Sequence, residues 1–60
     1  MYVKNADMVG RIVRLRAHPE LGTFRVLRIV AMQSDQLLCG FVIDNGRKRY
    51  EVVRRDIALA

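Results

Sequence analysis

Val9-Gly10-Arg11-Ile12-Val13-Arg14-Leu15, the connector Arg16-Ala17-His18-Pro19-Glu20-Leu21-Gly22, and Thr23-Phe24-Arg25-Val26-Leu27-Arg28-Ile29-Val30-Ala31-Met32 form the stretch that decides the fold. Two apolar runs rich in β-branched residues flank a Pro/Gly corner, which reads as two antiparallel strands joined by a rigid loop. Pro19 cannot donate to a central ladder, and it steers His18 away from helical angles. In the first run, Met8 to Leu15, the apolar alternation is imperfect, and Gly10 marks a bulge or a close backbone approach. In the second, strict alternation puts Phe24, Val26 and Arg28 on one side and Arg25, Leu27 and Ile29 on the other. Arg25 and Arg28 are three apart, so period two separates them. A bulge near Val26 or Leu27 brings them to one face and bends the strand, as a small barrel requires.

Outward from this stretch, Gln33-Ser34-Asp35 is a polar turn, and Gln36 to Ile43 is the most apolar segment. Leu37, Cys39, Phe41 and Ile43 alternate on one side of it, with Leu38 and Val42 on the other. A strand apolar on both sides is normally buried on both sides. In a barrel this small one face meets water, so Leu38 and Val42 mark an expected contact between copies of the chain. Asp44-Asn45-Gly46 is the strongest local signal, because Asn-Gly between strand-like runs favours a tight hairpin with positive φ at both central residues. Arg47 to Val53 returns as a strand with Tyr50 and Val52 on one face. Arg54-Arg55-Asp56 reads as one short helical turn, and Ile57-Ala58-Leu59 as a final brief strand.

The chain has 60 residues, enough for one domain with a marginal core. Cys39 is the only cysteine and His18 the only histidine, so neither an internal disulfide nor a zinc cluster of Cys/His spacing can compensate. No apolar run reaches the roughly 20 residues of a membrane-spanning helix. The N-terminus lacks the pattern of a secretory signal. A cytoplasmic protein with no membrane partner and no cofactor is the expectation. The expected layout is a short N-terminal tail or lead-in strand over residues 1–7 and a barrel over residues 8–60.

Eleven basic residues stand against six acidic ones, a net charge of +5. Nine of the basic residues are arginine, whose planar guanidinium forks onto phosphate or carboxylate and stacks on bases. Catalysis finds little support. His18 stands in a loop with no nucleophile near it in sequence, and Cys39 sits in the most apolar segment, where a thiol is inert packing. Asp35, Asp44 and Asp56 fall in turns, where aspartate bonds its own backbone.

The order strand, loop, strand, turn, strand, hairpin, strand, single turn, strand fits an all-β, five-stranded SH3-like barrel better than an OB-fold, which uses longer strands and a helix. The residues Val9-Gly10-x-x-Val13-Arg14, His18-Pro19-x-Leu21-Gly22-Thr23-x-x-Val26-Leu27-x-Ile29, Asp44-Asn45-Gly46-x-x-x-Tyr50 and Arg55-Asp56-Ile57-x-Leu59 resemble the Tudor-like and KOW-like SH3 barrels of bacterial transcription and repair proteins. Modules of UvrD-type helicases and of the RNA-polymerase-recycling ATPase RapA are examples. Two positions depart from that pattern: Arg11 stands where an acidic residue is common, and Phe24 where a second loop glycine is. The resemblance implies a docking module for nucleic acid or an RNA-polymerase-associated protein. Type II dihydrofolate reductases share the barrel, but their Val-Gln-Ile-Tyr signature is replaced here by Arg49-Tyr50-Glu51-Val52.

The expected binding surface consists of Arg14, Arg16, Arg25, Arg28, Arg47, Lys48 and Arg49, with Arg11, Arg54 and Arg55 as further basic residues. Phe24 and Tyr50 are candidates for base stacking, although Phe24 and Phe41 fit a core better. The alternative expectation is a self-associating structural or regulatory protein with an interface on Leu38 and Val42.

Overall fold

A computed structural model describes residues 2–60; Met1, part of the expected tail, lies outside the described residues. Five strands form one antiparallel sheet: β1 (Ile12–Leu15), β2 (Thr23–Ala31), β3 (Gly40–Asp44), β4 (Arg49–Val53) and β5 (Ile57–Leu59). The spatial order is β4-β3-β2-β1-β5. Four consecutive strands thus meander, and the last returns to pair with the first. A 3-10 turn, Arg54–Asp56, precedes β5 where the sequence places a helical turn. Among the described residues no ladder joins β4 to β5, so the sheet has two free edges and is not closed.

One face of the sheet carries the core. Met8, Val13, Phe24, Val26, Cys39, Phe41, Ile43 and Ile57 are buried together, with Val3, Leu15, Ile29, Tyr50 and Val52 packed around them. Full burial of a side chain such as Phe24 or Ile43 is worth about 1.5–3 kcal/mol relative to leaving it exposed. Cys39 is one of them: burial raises its thiol pKa, with the Arg54 charge opposing. Its Sγ lies 3.5 Å from Met32 Sδ.

The sheet bends where the register breaks. Gly10 N–H donates to Val26 O at 2.7 Å, and Val26 N–H donates to Arg11 O at 2.9 Å. Two residues of the incoming chain therefore oppose one of β2, and Gly10 takes φ 88° to do so. On its other side β2 pairs Arg25 with Asp44 and Val26 with Ile43, then skips Leu27 and pairs Arg28 with Val42 and Ile29 with Phe41. A second skip at Val30 precedes the Ala31–Gly40 pair. The expected bulge is thus at Leu27, and it reverses the faces assigned by strict alternation: Ile29 turns to the core and Arg28 away from it.

Three other expectations change. Gln36–Leu38 is a 3-10 turn rather than strand, capped by Asp35, whose Oδ1 accepts from Leu37 N at 2.9 Å. Leu37 and Leu38 consequently leave the sheet and are exposed. The β3–β4 hairpin closes with Asn45 N–H on Lys48 O at 3.1 Å, and only Gly46 takes positive φ. Asn45 contributes through its side chain instead, whose Oδ1 accepts from Arg47 N and Lys48 N at 2.9 and 2.8 Å. Finally, the N-terminal segment is neither a loose tail nor a strand. Asn5–Asp7 forms a 3-10 turn that delivers Met8 to the core.

Arg54 holds that segment down. Its Nη1 donates to Val3 O at 2.7 Å and to Asn5 Oδ1 at 2.9 Å, and its guanidinium lies 4.4 Å from the Tyr2 ring centroid. Asn5 in turn donates from Nδ2 to Gln36 O at 3.0 Å. Arg54 is 9% exposed and so belongs to the structure, not to the basic surface on which its charge first places it.

Candidate nucleic-acid interface

Ladder partners share a face, so the register alone assembles the outer surface of the sheet. One cross-strand row runs Arg49, Asp44, Arg25, Ile12 from β4 to β1. A second runs Glu51, Val42, Arg28. A third joins Thr23, Arg14 and Ala58. Because Leu27 is skipped, Arg25 and Arg28 occupy the same face with a spacing close to that of residues i and i+2. Arg14 stands diagonally across from Arg25. Arg16, two residues past Arg14, continues toward the end of β1, where its N–H donates to Asp56 O at 2.9 Å.

The guanidinium groups of this surface are largely unpaired. Among the described residues the one ion pair between a guanidinium or ammonium and a carboxylate is Arg49 Nε with Asp44 Oδ2 at 3.0 Å, and His18 Nδ1 lies within hydrogen-bond distance of Glu20 Oε2 at 3.2 Å. Arg14, Arg16, Arg28, Arg47 and Lys48 are exposed and hold no carboxylate. Arg25 donates from Nη1 to Gly10 O at 3.3 Å and is otherwise open to solvent. Asp44 is the one acid in the row. The Gly46 backbone N–H at 2.6 Å, followed by the Arg49 side chain, holds its carboxyl below the usual carboxylate range. It therefore stays anionic between two arginines and reduces their mutual repulsion.

The predicted residues thus divide. Arg14, Arg16, Arg25 and Arg28 form a diagonal band across β1 and β2. Arg49 is tied to Asp44, and Arg47 with Lys48 stands apart on the hairpin tip. The aromatic candidates do not reach the surface: Phe24 is 1% exposed, and half-buried Tyr50 packs edge to face on it with ring centroids 5.7 Å apart. For the apolar interface, Val42 is only 6% exposed within the chain's own fold, between Arg28 and Glu51 of the neighbouring strands. Within one copy Val42 therefore offers little surface to a contact between copies, whereas Leu38, Leu37 and Met32 are 38%, 50% and 65% exposed. The sequence left Arg54 and Arg55 indistinguishable, since only tertiary contacts bury the first and leave the second in solvent.

Among the described residues no three His, Cys, Asp or Glu side chains stand close enough to hold a metal ion, and no helix is long and apolar enough to cross a membrane. Compared with family models, curated proteins and solved structures, the chain matches none.

Proposed function

We propose that this chain is a non-enzymatic docking module of the SH3-like, Tudor/KOW type that binds nucleic acid through its basic outer face. The strand order and the 3-10 turn before β5 agree with that type of module. The observation that carries the functional reading is the bulge at Leu27, which sets Arg25 and Arg28 side by side in one band with Arg14 and Arg16. Aligning like charges costs stability, and apart from Asp44, the ladder neighbour of Arg25 that is itself paired with Arg49, no carboxylate among the described residues pairs with this band. Phosphates at regular spacing would relieve it, with counterion release driving association. The band carries no aromatic, Asn or Gln side chain, which favours backbone contact over sequence readout. The alternative, self-association, loses Val42 from its expected interface and rests on Leu38 with Met32 and Leu37.

The test is Arg25→Glu combined with Arg28→Glu, titrated with short single-stranded and duplex DNA across a salt series. Both side chains are exposed, so circular dichroism should be unchanged. Affinity should fall more than tenfold, and the slope of log K against log salt should drop by about two, one for each lost phosphate contact. If the variant binds as the parent does at every salt concentration, the reading is wrong. Repeating a lysate pull-down with nuclease then separates a nucleic-acid tether from an acidic protein of the transcription machinery.

A further inference from the structure

The open seam between β4 and the end of β1 holds a cleft of about 320 Å³. Leu15 and Val52, inward-facing residues of β1 and β4 packed on the core, form its apolar wall with Ala17. Arg16, His18, Arg55 and Asp56 complete the lining, and all four are exposed. We infer that this cleft receives one unstacked base of a single-stranded nucleic acid whose phosphates follow the arginine band. This rests on the nucleic-acid reading above and narrows it to single strands.

Three observations converge on a base. The cleft lies at the low end of the size range of small-molecule sites, enough for a nucleobase and part of its sugar. Its planar groups are guanidinium and imidazole, which stack on unpaired bases in proteins that read single strands. They do here what the buried Phe24 and half-buried Tyr50 cannot. The band also leads into the cleft. Arg14 lies on β1, and Arg16, just past the end of that strand at Leu15, lines the cleft itself, so the band reaches the cleft at Arg16. Asp56 discriminates between occupants. An acidic peptide side chain entering the cleft would meet its carboxylate, whereas the exocyclic amine of a base would donate to it. A duplex keeps its bases stacked and paired, so it can use the band but not the cleft.

The experiment compares a short single-stranded DNA with an abasic strand of equal length and charge at one salt concentration. The parent should bind the base-bearing strand roughly tenfold tighter, as one stacked base is worth. Arg55→Lys combined with His18→Ala preserves the formal charge and removes two planar groups. That variant should bind the abasic strand as the parent does and lose the tenfold gap. Both residues are exposed, and unchanged circular dichroism establishes that the fold persists. A parent that binds both strands equally overturns the cleft assignment and leaves the nucleic-acid reading standing. A gap that survives in the variant also overturns it, because the base is then seated elsewhere. Binding to neither strand overturns the cleft assignment, and absence of binding to a duplex of the same sequence as well removes the nucleic-acid reading.

Discussion

Arg54 and Arg55 are the same residue at adjacent positions, and replacing each by alanine should have very unequal consequences. Arg54→Ala removes two hydrogen bonds from a charged donor, at 2.7 Å to Val3 O and 2.9 Å to Asn5 Oδ1. Such bonds contribute about 1.5–3 kcal/mol each, and the acceptors lose their partner when it goes. The contact with the Tyr2 ring adds roughly 0.5–2 kcal/mol. These contributions overlap, because they hold one segment in place, so the expected loss is about 3–4 kcal/mol and not their full sum. A chain of this size has a total stability of roughly 3–9 kcal/mol. Arg54→Ala should therefore remove a large part of it, and Arg55→Ala should stay within about 0.5 kcal/mol of the parent. Urea unfolding followed by circular dichroism gives both values. Hydrogen exchange adds the location: the Asp7 and Met8 amides, bonded to Lys4 O and Asn5 O, should lose protection first in Arg54→Ala. Equal urea midpoints for the two variants would refute the assignment of Arg54 as the clasp of the N-terminal segment.

Two further outcomes test the elements that shape the outer face. Gly10→Ala should cost about 1–2 kcal/mol, read from urea midpoints; no atom lies within 4 Å of the added Cβ, so the whole effect is the φ of 88°, and a neutral substitution would remove the glycine requirement at the bulge. Asp44→Asn tests the hairpin acid through pH. The folded pKa of Asp44 is depressed, so its stabilisation is present above the unfolded value near 3.9 and is lost as pH falls through the folded value. The thermal midpoints of parent and variant should differ by a constant amount from neutral pH to about pH 4 and converge below it. A difference that persists in strong acid contradicts the ionic role of Asp44.

The fold was legible because its signals are local. Pro19, Asn45-Gly46 and the β-branched runs punctuate the chain, and alternation within β3 and β4 assigns Phe41, Ile43, Tyr50 and Val52 to the inner face. Even the single turn Arg54–Asp56 before β5 could be read from its charged residues between apolar runs. Leu37 and Leu38 misled for a physical reason: hydropathy cannot distinguish a strand from a capped 3-10 turn, and the Asp35 side chain decided for the turn. The free edges of β4 and β5, and the cleft between Val52 of β4, the end of β1 and the turn before β5, depend on how far the sheet curls, a sum of small twists with no sequence signature.

By itself the sequence determined an all-β chain of five strands, part of its core such as Phe41 and Ile43, and a surplus of arginine, because these follow from periodicity, turn chemistry and charge. How each arginine is placed was decided only in three dimensions, where the bulge expected near Val26 or Leu27 falls at Leu27. The skip at Leu27 gathers Arg25 and Arg28 onto one face, Asp44 engages Arg49, and the N-terminal segment encloses Arg54. Face, partner and burial depend on register and on contacts between distant residues, and an arginine in a sequence looks the same in all three roles.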